Sequence, residues 1–289
     1  MSDVACVLPA GALLGEGPVW DVAERALYWV DIKRQEVHRF DPGTGRDARW
    51  STPEPVGSLA VREAGGLVVA LRAGFHFLDL ASGALAPVAL PEADRPGNRF
   101  NDGKCDRQGR FWAGSMHHRA EKPTGALYRL DPDLSVHRMV EGLICSNALC
   151  WSPDGRTMYH ADTGRGTVWA WDSDGAGVIA NRRVFVALDR SEGFPDGATV
   201  DAEGFLWLAH WDGGMVSRYD PAGRRERAIR VPVQRVTCPA FGGPELDVLY
   251  LTTAATGLPE AELARQPWAG AILALDPGVR GLPEARFRG

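Results

Sequence analysis

The stretch "DAEGFLWLAHWDGGMVSRYDP", residues 201–221, decides the fold. A turn containing Asp and Gly opens it, and a short aromatic and apolar run follows. A second run ends in an apolar residue followed by aspartate. Short alternating runs bounded by such turn residues read as β-strands. The unit recurs. "DVAERALYWVD" (21–31), "DRQGRFWAGS" (106–115), "SPDGRTMYHAD" (152–162) and "GPELDVLYLTT" (243–253) repeat its first half, and the weaker "REAGGLVVAL" (62–71) fills the remaining gap. "VHRFDP" (37–42), "FHFLDL" (75–80), "ALYRLDP" (126–132), "VWAWDSD" (168–174) and "AILALDP" (271–277) repeat its second half.

The closing aspartates Asp41, Asp79, Asp131, Asp172, Asp220 and Asp276 lie 38, 52, 41, 48 and 56 residues apart. Six such units predict an all-β six-bladed β-propeller with four-stranded antiparallel blades, a single domain over residues 1–289 with no linker. A sandwich or barrel with chance similarity would not keep six units in register. The least repeat-like segment, "ATGLPEAELARQPWAG" (255–270), reads as a long loop or helical turn inside the sixth blade.

Composition agrees with that frame. Thirty-four glycines and twenty prolines in 289 residues, spread along the chain, suit many tight turns. A net charge of −5 disfavours nucleic acid or an anionic membrane as partner. No run approaches eighteen apolar residues, and the N-terminus has neither a basic start nor a sustained apolar core, so no signal peptide or membrane span is expected. Five scattered cysteines (Cys6, Cys105, Cys145, Cys150, Cys238) without a C-x-x-C pair suit reduced, mostly buried thiols in a cytoplasmic protein. A monomer is expected. G-x-S-x-G, H-x-x-x-H, an intact phosphate loop and an EF-hand loop are all missing, which removes the corresponding hydrolase, zinc, nucleotide and calcium motifs.

Aligning the units on Trp29, Val69, Trp112, Tyr159, Trp207 and Tyr250 and counting back 11 to 13 residues lands on Glu16, Ser58, Asn101, Asn147, Asp196 and Cys238, with Thr237 beside it. Each is expected just before the first strand of its blade, so the six would meet at one mouth of the central channel. Two carboxylates and two amides there suit a hard divalent cation such as Ca²⁺, Mg²⁺, Mn²⁺ or Fe²⁺. They also suit a plainer role, because Asp, Asn and Ser favour strand-entry turns. For Asp196, flanked by Pro195 and Gly197, spacing alone leaves both readings open. Trp20 and Trp211, near the ring, are candidate pocket walls.

At these residues the chain resembles the regucalcin/gluconolactonase family, which includes senescence marker protein, sugar lactonases and luciferin-regenerating enzyme. "LLGEGPVW", "NRFNDGKCDRQGRFWAGSM", "GLICSNALCWSPDGRTMYHADT", "FPDGATVDAEGFLWLAHWDGG" and "RQPWAGAIL" follow the family's motifs in order, nearly end to end. The resemblance implies a six-bladed propeller with one divalent metal site at the channel mouth, ligated by Glu16, Asn147 and Asp196. It also implies that Arg99 and Asn101 contact substrate hydroxyls. Where many animal members carry acidic residues after the methionine of the second of these motifs, this chain has His117, His118 and Arg119, and His118 is taken as a further substrate contact.

The expected activity is metal-dependent hydrolysis of an aldonolactone to its aldonic acid, with Asp196 activating water as a ligand or from beside the metal. The chain looks most similar to bacterial aldonolactonases such as xylonolactonase. That points to D-xylonolactone as substrate and to Fe²⁺ as the cofactor, ahead of Zn²⁺, Mn²⁺ and Ca²⁺. A non-catalytic propeller interaction module, a strictosidine-synthase-like enzyme without metal ligands, and a phosphotriesterase-like activity are the other readings.

Overall fold

The computed structural model describes residues 4–289 and forms six four-stranded antiparallel sheets. Met1, Ser2 and Asp3, the start of the stretch read for a signal peptide, lie outside the described residues. The first blade runs Gly15–Asp21, Ala26–Asp31, Glu36–Asp41 and Arg46–Ser51, in order from the channel outwards. The innermost strands of the others are Val56–Val61, Asn98–Cys105, Ser146–Trp151, Phe194–Val200 and Val236–Gly242. Each of the six packs against the innermost strands of both neighbouring blades, which closes the ring about the channel.

Burial follows distance from the axis. "GEGPVWD" and "VGSLAV", innermost, are buried throughout, whereas the outermost "RDARWS" and "RERAIR" alternate or lie open. Inner strands are covered on both faces by adjacent blades, so they read as continuous rather than alternating apolar runs. Trp29, Trp112 and Trp207 are sealed between blades. The indole N–H groups of Trp112 and Trp207 donate to buried Asp106 and Asp201 at 2.8 and 2.9 Å. The repeat's closing aspartates act at the surface instead. Asp41 and Asp220 accept backbone N–H bonds two residues ahead, at 2.9 Å each, and so shape exposed hairpin turns.

Two connections were not visible in the repeat. The outermost strand of the sixth blade is Ala5–Leu8, from the N-terminus, paired with Ile272–Leu275. The C-terminal segment crosses the end of the propeller opposite the mouth: Gly281 bridges to Asp201 and Phe287 to Arg62, and Phe287 is fully buried. Residues 255–270 contain the short helix Glu260–Arg265 between strands of the sixth blade, as the sequence suggested. All five cysteines are free thiols. Among the described residues no helix is long and apolar enough to cross a membrane.

The ring residues lie within the innermost strands rather than just before them, because each strand carries a β-bulge there. Register shifts fall at Glu16/Val19, Val56/Ser58, Phe100/Gly103, Asn147/Cys150, Pro195/Ala198 and Val236/Cys238. A bulge sets two residues against one, bends the strand and re-aims a side chain.

Candidate active site

The bulges bring Glu16, Asn101, Asn147 and Asp196 together on the floor of a cavity of about 370 Å³ at the mouth, each between 3% and 6% exposed. Loops that follow the second strand of several blades build its rim: Lys33, Ala120, Thr163–Gly164 and Thr256. Leu14, Met116, Cys145, Phe194 and Trp211 supply apolar wall. The same local device anchors two of the floor strands. Buried Asp31 accepts the N–H groups of Leu13 and Leu14 at 2.8 and 3.1 Å, just ahead of Glu16. Buried Asp162 accepts those of Ile144 and Cys145 at 3.0 Å each, just ahead of Asn147.

A hydrogen-bonded chain crosses the floor. Arg99 Nη1 donates to Asn101 Oδ1 (2.7 Å), and Asn101 Nδ2 donates to Asn147 Oδ1 (3.0 Å) and to the Ser146 carbonyl (2.9 Å). Asn147 Nδ2 donates to Thr163 Oγ1 (2.8 Å), whose hydroxyl donates to the Pro195 carbonyl (2.8 Å), beside Asp196. Thr163 therefore fixes which way the Asn147 amide faces and ties the fourth blade to the fifth. No repeat signal marked it.

Neither Glu16 nor Asp196 has a cationic partner within 4.0 Å among the described residues. Burial, joined by the negative charge of Asp102, pushes Glu16 up to about 8, with the Gly17 N–H and Arg99 opposing. Burial, then the charges of Glu16 and Asp102, raises Asp196 well above the ordinary carboxylate range. Two buried carboxylates held in one enclosed site are the electrostatic signature of a place built for a cation. Among the described residues no three of His, Cys, Asp or Glu converge. The donors are two carboxylates and an amide oxygen, a hard oxygen set that fits a divalent ion and is unlike a histidine or thiolate zinc centre. The residues present thus fit the group.

Two expectations are corrected. His118 does not line this cavity: the turn closed by Ala120 N–H to the His117 carbonyl (2.7 Å) sends it outwards, where it is exposed with Nδ1 2.9 Å from the Gly97 carbonyl oxygen. Ala120 reaches the wall in its place, and His117 lines a separate cleft with Arg95 and Lys122. Trp211 is a pocket wall, but Trp20 is buried against Tyr250 with ring centroids 5.7 Å apart and lies away from the cavity. Ser58, Thr237 and Cys238 belong to the bulged ring without reaching the cavity. Thr237 donates to the Gly15 carbonyl at 2.6 Å and so steadies the strand of Glu16.

The profile of the SMP-30/Gluconolactonase/LRE-like region matches residues 14–255. Regucalcin of Xenopus laevis is 38% identical over 294 residues, covering 99% of this chain and 98% of its own. A 6-deoxy-6-sulfogluconolactonase of Pseudomonas putida is 38% identical over 286 residues, covering 98% of each. The solved structure of a calcium-binding protein, regucalcin, from Agrobacterium tumefaciens superimposes with a TM-score of 0.95 at 31% identity, over 100% of this chain and 98% of that one.

Proposed function

Since the chain belongs to the SMP-30/gluconolactonase/LRE-like family, we propose that it is a metal-dependent sugar lactonase that opens an aldonolactone to its aldonic acid. The observation that carries this reading is the pair of buried carboxylates without a cationic partner, Glu16 and Asp196, on the floor of a cavity of sugar size. Glu16, Asn147 and Asp196 would hold one divalent ion. Such an ion supplies Lewis-acid polarisation of the lactone carbonyl.

The chain's own residues do the rest. Asp196, enclosed beside the ion it would help to hold, accepts the proton of the attacking water at its carboxylate. Arg99, oriented by its bond to Asn101 Oδ1, presents its remaining N–H donors to ring hydroxyls, and Asn101 Oδ1 accepts from one, because both Asn101 N–H groups are spent on Asn147 and Ser146. Phe194 and Trp211 narrow the cavity and exclude bulk water. One relative, named for a gluconolactone derivative, supports the substrate class, and another, described as calcium-binding, supports a divalent ion. D-xylonolactone is the first pentonolactone to test. Fe²⁺ is the first ion, ahead of Mn²⁺, Ca²⁺ and Zn²⁺.

The test strips the protein with chelator and assays fresh pentono- and hexonolactones, with each ion restored, against the spontaneous rate. Activity should vanish on chelation and return with a divalent ion. Undiminished activity in protein shown to be metal-free would end this reading.

A further inference from the structure

We infer that the lactone this site prefers carries an anionic substituent (carboxylate, sulfonate or phosphate) on the end remote from its carbonyl, received by Lys33 at the rim. The inference rests on the lactonase reading above and names the substrate class of that same cavity.

The floor of the cavity balances its own charge. Two carboxylates, Glu16 and Asp196, line it, and buried Asp102 and Lys104 do not. A divalent ion held by Glu16 and Asp196 would match their two charges, and Lys104 is paired with Glu284 at 3.0 Å. Lys33 lies outside that balance. It lines the cavity, is exposed, and has no carboxylate within 4.0 Å of Nζ among the described residues. The nearest acidic residue in sequence, Asp31, is already committed to the backbone N–H groups of Leu13, Leu14, Lys33 and Arg34 and to the Arg34 guanidinium at 3.6 Å.

Hydrogen-bond capacity at the rim points the same way. Lys33 Nζ donates once, to Thr256 Oγ1 at 2.5 Å, which leaves two of its three donors unused. Thr256 Oγ1 is thereby occupied as an acceptor and keeps its own proton to donate. The Thr256 carbonyl is taken by the Arg235 guanidinium. Between rim and floor the wall is Leu14, Phe194 and Trp211, with no amide or carboxylate side chain. A sugar hydroxyl brings both a donor and acceptors, whereas this end of the cavity offers mainly donors. A carboxylate, sulfonate or phosphate only accepts, and it brings the negative charge that Lys33 lacks.

The test compares kcat/KM of the metal-loaded protein for gluconolactone with that for its 6-sulfo and 6-phospho forms and for the 6-carboxylate aldarolactone. Calorimetric affinities for glucose and glucose 6-phosphate are measured alongside. The wild type should favour the anionic lactones by about tenfold, a charge-assisted bond in a partly enclosed site, and added salt should weaken only those substrates. Lys33→Gln should lower kcat/KM for the anionic lactones about tenfold more than for gluconolactone, and so remove the preference, whereas Lys33→Arg should keep it. The three anionic arms identify which group is read. Equal wild-type rates for neutral and anionic lactones, or a preference that survives Lys33→Gln, would overturn the inference and leave the lactonase intact. If no lactone is hydrolysed, the lactonase reading fails, and Lys33 is then judged by whether glucose 6-phosphate binds the wild type more tightly than it binds Lys33→Gln.

Discussion

Asp196 and Asp220 look alike in the sequence, each beside proline and close to glycine, yet their surroundings assign them opposite roles. Asp220 sits at a hairpin, accepts the Ala222 and Arg224 N–H groups at 2.9 Å each and pairs with exposed Arg224. Asp196 is 3% exposed, with Glu16 acting to raise its pKa. Asparagine keeps either shape and removes the charge. Asp196→Asn should therefore cost roughly 10²–10⁴ in kcat and weaken metal binding, while the metal-free fold holds or gains, because a buried like charge has gone. Asp220→Asn should keep its activity. Lactonase rates at saturating metal, and melting temperatures of both variants stripped of metal, provide the comparison. A fully active Asp196→Asn protein would return this residue to a turn-forming role.

At the scale of the element, the bulge is the device that turns a strand residue into a site residue, and it imposes a backbone cost. Gly17, next to Glu16, has φ +52°, and Ala148, next to Asn147, has φ +54° in the corresponding place of the fourth blade. An added Cβ at Gly17 would meet nothing nearer than the Ser58 Cα at 3.5 Å, so only the left-handed backbone resists alanine there. Gly17→Ala should destabilise by about 1 kcal/mol, whereas Ala148→Gly should be neutral or stabilise by up to about 1 kcal/mol. Denaturant midpoints settle the pair, and a Gly17→Ala protein as stable as the wild type would refute the account. Gly114 differs in kind. A Cβ there would lie 1.8 Å from Ser146 Oγ, so any side chain would push aside the strand that carries Asn147.

Across the whole molecule, the C-terminal segment closes what the blades leave open. Arg286 Nη2 donates to both carboxylate oxygens of Asp21 at 2.7 Å, and Glu284 reaches the channel to pair with Lys104 at 3.0 Å. Lys104 is buried, and its Nζ also donates to the Ala198 carbonyl at 3.3 Å. Burial would depress its pKa, but Glu284 holds it raised. Glu284→Gln removes the carboxylate that pairs directly with the buried ammonium, leaves it the charge of Asp102 without a contact, and should cost roughly 3 kcal/mol at pH 7. With its folded pKa then pulled below the unfolded value, Lys104 binds fewer protons folded than unfolded. The variant's deficit should therefore shrink as pH rises towards about 10. Melting curves at pH 7 and 9.5, with Lys104→Met/Glu284→Gln as the compensating double variant, test this. A pH-independent deficit, or none, would contradict it.

The local sequence determined the blades. Strand, turn and closing aspartate each follow from residues a few positions apart, so six copies could be counted, and the ring of Glu16, Asn101, Asn147 and Asp196 fell out of the period. Motif order implied the ligand role for Glu16, Asn147 and Asp196. Tertiary structure alone decided the rest, because the remaining features depend on chain segments far apart in sequence. Ala5–Leu8 completes the blade that ends near residue 275, and Glu284 neutralises a lysine 180 positions earlier. Thr163 gains its meaning only because the fifth blade brings the Pro195 carbonyl to its hydroxyl. His118 shows the converse. Its sequence neighbourhood pointed into the cavity, but a single turn bonded to Gly97 sent its side chain to solvent, since a loop's direction is set by the backbone it closes upon.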